Sequence, residues 1–212
     1  MRHSLLLLGL LIVSASCSQS KAASPIVIAG SDHMAPPRFQ AGPYIQLTPV
    51  IDRAHPFTII DGGAFRVAEL QIAAYRSAGI GGTAADFSVH ADANGVPGEP
   101  LGTFVVAGIP LSTPSVVSAS PTSDLVLYSG TTYWIVGTTN QGQVNWSLAS
   151  GTPGMISVNG PYAYKLRNDD WVVSPTGQLA AYAILGSPVP EPAAGALFLL
   201  LSATALTMRR RT

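Results

Sequence analysis

Short runs of apolar residues alternating with polar ones, separated by glycine- and proline-rich turns, fill the chain between residues 25 and 186. No stretch of that span shows a sustained helical period bounded by capping residues. Such runs at intervals of roughly 8–12 residues are typical of antiparallel sandwiches. We therefore expect an all-β fold, an antiparallel β-sandwich of jelly-roll-like type.

The alternation within single runs predicts which side chains share a face. Phe87 and Val89 alternate with polar residues in one run, and Val144, Trp146 and Leu148 alternate in another. Because side chains two apart on a strand point the same way, each set should occupy one face, with Trp146 in the core. Further strands are expected at 101–106, around 125–127 and 133–135, at 162–166 and at 179–185.

Local irregularities carry information about turns and register. Asp61-Gly62-Gly63 is a tight-turn signal between two apolar runs. In the run that follows, Val67 and Leu70 are out of step with simple alternation, so we expect a β-bulge or a register change between them. Gly186-Ser187-Pro188 is expected to be a short linker.

Cysteine content and charge narrow the function classes. The single cysteine, Cys17, lies in the N-terminal segment, so the domain has no disulfide and no thiolate for catalysis or metal binding. Apolar burial must therefore stabilise it, and roughly 160 residues are enough for a sizeable core. Six of the eleven basic residues and all eleven acidic residues lie between Ala23 and Glu191, which gives this span a net charge of −5. A mildly acidic domain without a basic cluster argues against nucleic-acid binding.

The first 22 residues have the layout of a secretory signal peptide. Arg2 precedes an unbroken apolar run at 5–13, and small residues follow. That run is about half of the ~20 residues that a spanning helix needs. Cleavage after Ala22 would leave small residues at the recognised positions. The alternative is a lipoprotein site with lipid attachment at Cys17.

The C-terminal segment predicts a transmembrane helix. Residues 193–208 are sixteen residues without a charge, rich in Leu and Ala. As a helix they would span about 24 Å, slightly less than a hydrocarbon core of about 30 Å. Arg209, Arg210 and Arg211 would stay on the cytoplasmic side by the positive-inside rule, with the preceding domain outside.

A proline-rich motif precedes this helix. Pro190, Glu191 and Pro192 would hold an extended, accessible stretch just outside the membrane, because proline cannot extend the helix backwards. The motif, the apolar helix and the arginine cluster, on a chain with a signal peptide, closely resemble the PEP-CTERM sorting signal over residues 189–212. The resemblance implies cleavage near the motif by an exosortase, a transpeptidase-like membrane protease, with these residues recognised rather than catalytic. A plain C-terminal membrane anchor is the alternative.

The middle of the chain resembles a second family. The spacing of residues 90–101, 125–136 and 144–146 is similar to that of the choice-of-anchor R domain, over roughly residues 57–185. That family is found with differing C-terminal anchors. The resemblance implies a β-sandwich and a bacterial surface role, and it brings no catalytic residues with it.

One turn and one tryptophan are the candidate binding features. Asp92, Asn94 and Gly95 suggest a calcium loop, but the twelfth position is Thr103 where an EF-hand needs a carboxylate. We expect a turn whose Asp and Asn side chains bond to local backbone, with calcium in another geometry as the alternative. No histidines have metal-ligand spacing, so no metal or cofactor is expected.

The tryptophans could instead form a sugar-stacking platform. Tyr133 and Trp134 are adjacent and must face opposite sides of a strand, so one should be core and the other outward. Trp146 is expected in the core. Trp171, which follows a polar turn, is the best candidate for exposure and for a glycan contact.

These features favour a non-enzymatic, exported surface or extracellular-matrix protein with a structural or adhesive domain. Its divisions would be a signal peptide at 1–22, a β-sandwich domain at 23–186 and a sorting signal at 187–212. The expected partners are an exosortase and the membrane, and an extracellular polysaccharide if the domain is a glycan-binding module, which is the second hypothesis. An enzyme such as a polysaccharide hydrolase is the third, and it would need an acidic pair in a cleft.

Overall fold

The computed structural model describes residues 24–30, 39–59, 62–77, 82–149 and 159–190, with side chains at all of these except 40–43, 159 and 160. This part of the chain forms thirteen strands and no helix. In chain order they are β1 (Ile26–Gly30), β2 (Phe39–Leu47), β3 (Ile51–Thr58), β4 (Ala64–Arg76), β5 (Ala85–Asp92), β6 (Pro97–Val106), β7 (Ser115–Ala119), β8 (Val126–Tyr128), β9 (Thr132–Thr138), β10 (Val144–Ala149), β11 (Asn159–Leu166), β12 (Val172–Gln178) and β13 (Tyr182–Pro188). The expectation of an all-β fold is confirmed.

The strands form two sheets that pack against each other, as expected for a sandwich. One sheet has seven strands, in the order β1-β13-β4-β10-β2, with β7 and β8 paired along the long strand β4. The other has six strands, in the order β12-β11-β3-β9-β5-β6. Every strand pairing in both sheets is antiparallel. The antiparallel sandwich predicted from the turn spacing is therefore confirmed.

The core lies between the sheets and is centred on Trp146 of β10. Its ring meets two aromatic residues of the opposite sheet, His55 on β3 and Phe87 on β5, edge to face at 5.2 and 4.9 Å between centroids. Within its own sheet it contacts Tyr182 at 6.2 Å, and its Nε1 donates a 3.0 Å hydrogen bond to the carbonyl of Ala181. Edge-to-face pairs stabilise beyond the area they bury, and the indole N–H is satisfied.

The core confirms which side chains of these strands were predicted to point inward. Phe87, Val89, Val144 and Trp146 are fully buried and Leu148 is 5% exposed. All but Leu148 belong to one continuous apolar cluster between the sheets. The prediction that alternate residues of each run share one face is thus confirmed.

The register break in β4 is also confirmed. Leu185 of β13 pairs with Glu69, but the next residue, Gly186, pairs with Val67, so Ala68 is an extra residue on β4. The bulge brings Val67 and Leu70 to the same buried face, where both are at most 4% exposed.

The chain passes from one sheet to the other at the Asp61-Gly62-Gly63 signal, because β3 before it and β4 after it belong to different sheets. One local prediction is wrong. Gly186, Ser187 and Pro188 are not a linker but the end of β13, paired with β4. Immediately beyond, the N–H of Val189 donates a 2.8 Å hydrogen bond to the carbonyl of Ala64.

Four strands were not expected from the sequence: β1, β2, β7 and β12. Three of them lie at sheet edges, since β1 and β2 end one sheet and β12 ends the other. Pro43 in β2 and Pro175 in β12 interrupt the alternating pattern. An edge strand tolerates proline because one row of its N–H groups needs no partner.

Replacing Trp146 by alanine should cost about 3–5 kcal/mol of unfolding free energy, because the indole is fully buried between the sheets. Trp171→Ala is the matched control: that ring is only half-buried, so its removal should cost less than about 2 kcal/mol. Urea unfolding followed by far-UV circular dichroism measures both. Equal losses of unfolding free energy in the two variants would contradict the conclusion that the core is centred on Trp146.

Candidate functional site

The predicted sorting motif begins where the described fold stops. Pro190 is exposed and directly follows the last backbone hydrogen bond of the sheet, made by Val189. Glu191 and Pro192, the predicted helix at 193–208 and the arginine cluster at 209–211 lie outside the described residues, as does the predicted signal peptide. Within the ranges described, no helix is long and apolar enough to cross a membrane.

Trp171 lies on the outer face of the six-stranded sheet. It is half-buried and packs on a small apolar cluster that contains Ala54, Trp134 and Ala163. The Nζ of Lys165 lies 4.9 Å from the centroid of its ring. Part of the ring that was considered for stacking on a sugar is therefore already used in contacts within the protein.

Tyr133 and Trp134, adjacent in β9, face opposite sides of the sheet, as expected. Tyr133 points inward into the main core and Trp134 points outward. Trp134 is nevertheless only 2% exposed, because the cluster beneath Trp171 covers it. Its indole is therefore not an open platform.

The turn after β5 is held together by its own side chains. One carboxylate oxygen of Asp92 accepts a 2.7 Å hydrogen bond from Nε1 of Trp134, and both oxygens accept from the N–H of Gly95 at 3.2 Å. Asn94 and Gly95 have positive φ angles of 60° and 84°, which close the turn. Asp92 thus bonds to local backbone, as the sequence suggested, and also to a tryptophan that the sequence did not indicate.

No group of three His, Cys, Asp or Glu side chains within the described ranges could hold a metal ion. His90, beside this turn, is engaged by Ser88 through Nε2 at 2.8 Å and by the carbonyl of Gly98 through Nδ1 at 2.6 Å. Burial lowers the pKa of His90, while the bond to Gly98 acts in the opposite direction. These contacts give His90 a structural role where β5 and β6 meet at this end of the sheet.

A cleft that the sequence did not indicate opens where the two sheets part. It lies between β2, the edge of one sheet, and β3, β11 and β12 at the edge of the other. We call it the edge cleft; its volume is about 390 Å³, within the range of small-molecule sites. Its walls are formed by Arg53, Leu148, Tyr162, Thr176, Gly177 and Gln178 and by residues 44–46 of β2. Of those three, Ile45 turns toward the core, whereas Tyr44 and Gln46 turn to the outer face of the seven-stranded sheet.

Arg53 is the charged group of the edge cleft. Alternation along β3 turns it inward, while Asp52 turns outward and pairs with Lys165 at 3.6 Å. The guanidinium carbon of Arg53 lies 5.2 Å from the ring centroid of Tyr164. Its Nε is buried and has no hydrogen-bond partner. The ring stabilises the charge but leaves this donor unsatisfied.

Tyr162 forms one aromatic wall of the cleft, and Gly177 makes room for it. A Cβ at Gly177 would overlap the Tyr162 ring, so only glycine lets the ring lie against β12. The ring also stacks with Tyr164 at 6.2 Å. Tyr44, on β2, is 44% exposed and packs edge to face with Tyr75, so its ring lies on the outer face of the seven-stranded sheet and not in the cleft. Tyr162 is therefore the cleft tyrosine that offers ring surface near the guanidinium.

His55 lies behind the cleft, in the core. It is fully buried, neither ring nitrogen has a hydrogen-bond partner, and its ring lies 6.3 Å from that of Tyr162. Burial, and secondarily the charge of Arg53, lowers the pKa of His55 to about 3. At neutral pH it is therefore an uncharged imidazole.

The residues of the cleft come from five strands, β2, β3, β10, β11 and β12, and no short motif joins them. Only the alternation of β3, which turns Arg53 inward, could have indicated it. Neither protein-family models nor curated proteins give a match to this chain. The function must therefore be argued from the chain's own residues.

Stability should fall as the pH is lowered from neutral, because of His55. The unfolded chain takes up this proton near pH 6.5 and the folded protein only near pH 3, so between these values the unfolded state binds more protons. The unfolding free energy should then drop by up to about 1.4 kcal/mol per pH unit below about 6.5. Urea unfolding at a series of pH values down to about 5.5, above most carboxylate titration, measures the slope.

His55→Phe should remove most of that slope, whereas His90→Gln should retain it. His90 is only partly buried and keeps hydrogen bonds to both ring nitrogens. An unchanged slope in His55→Phe would show that the buried imidazole is not its source.

Asp92→Ala should destabilise the fold by about 1–3 kcal/mol, because the nearly buried Trp134 N–H loses its acceptor. Asp86→Ala, an exposed carboxylate on the same strand, is the control and should change stability by less than about 0.5 kcal/mol. Thermal unfolding with and without calcium measures both. A calcium-dependent rise in the wild type that Asp92→Ala abolishes would instead assign the turn to a metal.

Proposed function

We propose that this chain is an exported bacterial surface protein, sorted through a C-terminal PEP-CTERM signal that an exosortase processes. On this proposal the signal peptide directs the chain across the inner membrane, and the tail helix then holds it there with the arginines on the cytoplasmic side. The protein is a substrate and has no catalytic residues of its own. Its destination is the cell surface or the extracellular polymer.

The single observation that carries this proposal is the order of Pro190, Glu191 and Pro192, an uncharged apolar run and three arginines behind a signal-peptide pattern. The fold is compatible with both cleavages. The first described strand begins at Ile26, beyond the expected cut after Ala22, and the last one ends at Pro188, before the motif. Neither cut would divide a strand.

The two processing points also lie close to each other. Ile26 on β1 pairs directly with Gly186 on β13, so both export segments leave the sandwich from neighbouring strands at one end. A tail cleaved near Pro190 would leave every strand pairing of the domain intact. We infer that the sandwich, of jelly-roll-like type, is the structural or adhesive domain. The segments on either side of it direct its export and sorting.

A second function, glycan binding, is favoured by one specific observation. The edge cleft combines the partly accessible ring of Tyr162 with the guanidinium of Arg53 and with Thr176 and Gln178, which is the composition of a saccharide site. It is a better candidate than Trp171, whose ring is engaged by Lys165 and the outer cluster. On this second proposal the displayed domain binds the polymer that surrounds the cell.

The sorting proposal predicts where the mature protein ends. In cells with an exosortase, mass spectrometry should find the mature protein without residues 193–212. Replacing Pro190, Glu191 and Pro192 together by alanine should leave those residues attached, because the recognised stretch is gone. Pro188→Ala, an exposed proline at the end of β13, is the control and should be processed normally. Wild-type protein that retains 193–212 in such cells would refute the proposal.

A further inference from the structure

Arg53 differs from the other basic residues of the described domain. Arg66 pairs with Asp124 at 3.0 Å, Lys165 pairs with Asp52, and the Nε of Arg76 donates to the carbonyl of Ile109 at 3.1 Å. Arg167 is exposed in the turn after β11, where water can solvate it. Among the described lysines and arginines, Arg53 is the one with a buried side-chain N–H donor that has no acceptor in the protein.

An unpaired guanidinium at the side of a cleft selects for a particular ligand group. Arginine presents its donors in a planar fork that fits a carboxylate with two parallel hydrogen bonds. Because a buried donor without an acceptor is costly, an anion that reaches the Nε gains more than the same anion at an exposed arginine. The cleft therefore favours an acidic group at this point.

The remaining walls favour a sugar as the carrier of that group. Tyr162 offers ring surface to the apolar face of a pyranose. Thr176 and Gln178 can donate to and accept from hydroxyl groups. A single positive charge in a domain of net charge −5 suits one carboxylate better than a densely charged polyanion such as nucleic acid.

We propose that the edge cleft binds a uronic acid residue, with its carboxylate on Arg53 and its ring against Tyr162. This inference rests on the second function proposed above, glycan binding, and names its ligand class. It is independent of how the tail is processed. Arg53 acts as the specificity residue, because it distinguishes a uronic acid from the neutral hexose of the same shape.

The test compares two trisaccharides that differ only at C6, tri-galacturonate and its neutral α-1,4-linked galactose counterpart. Isothermal titration calorimetry with the full chain in detergent should show binding of the acidic sugar at least tenfold tighter than of the neutral one. Arg53→Gln should abolish that preference, and Arg53→Lys should restore it only in part, because lysine keeps the charge but not the planar fork. Tyr162→Ala should weaken binding of both sugars, because both lose the same ring surface.

Arg66→Gln is the matched control, since it removes an arginine of an exposed ion pair on the other sheet and should leave binding unchanged. Far-UV circular dichroism should show Arg53→Gln to be folded, as the substitution removes a charge without breaking a hydrogen bond. Equal affinity for the two trisaccharides would overturn the assignment of a uronic acid while leaving glycan binding in place. If acetate competed as effectively as the trisaccharide, the cleft would be a simple anion site. That result would also overturn the assignment of a uronic acid.

Binding of neither trisaccharide would overturn both this inference and the glycan-binding function. The sorting proposal would be untouched by that result, because it depends on the mass of the processed tail.

Discussion

The contact of the Trp146 indole with both sheets is the interaction on which the rest of this fold depends. It belongs to β10, which lies between β4 and the edge strand β2 of the seven-stranded sheet, and its ring reaches His55 and Phe87 of the facing sheet. Space for this arrangement comes from Gly137 on β9, where a Cβ would lie 2.9 Å from the Phe87 ring. Without disulfides in the domain, this aromatic centre takes the place of a covalent tie between the sheets.

The edge cleft follows from where that centre lies. Aromatic packing joins the sheets around β3, β5 and β10, but β2 and β12 are edge strands and the sheets part between them. Polar and aromatic side chains line the gap, with Tyr162 forming the boundary between the cleft and the buried His55. The same features that make these strands irregular in sequence, their glycines and prolines, leave room for the cleft.

The sequence predicted what repeats along the chain and missed what depends on the pairing of distant strands. The bulge in β4 could be predicted, because Val67 and Leu70 can reach one face only if a residue between them is extra. The crossing from β3 to β4 could not, because a Gly-rich turn looks the same whether the chain returns to its own sheet or passes to the other. Arg53 next to Asp52 resembles a solvated charge pair in sequence; only the strand direction separates them onto opposite faces.

The electrostatic effect of Arg53 on the buried His55, two residues away on β3, bears on how the cleft responds to pH. The two residues share the inner face of β3, and the charge of Arg53 contributes to the low pKa of His55, but burial is the larger cause. An anion on Arg53 would relieve only the smaller cause, so His55 stays neutral whether the cleft is empty or filled. Among the described residues, Arg53 is the single charged side chain lining the cleft. On the uronic acid proposal, a pH dependence of binding would therefore come from the carboxylate of the ligand rather than from His55.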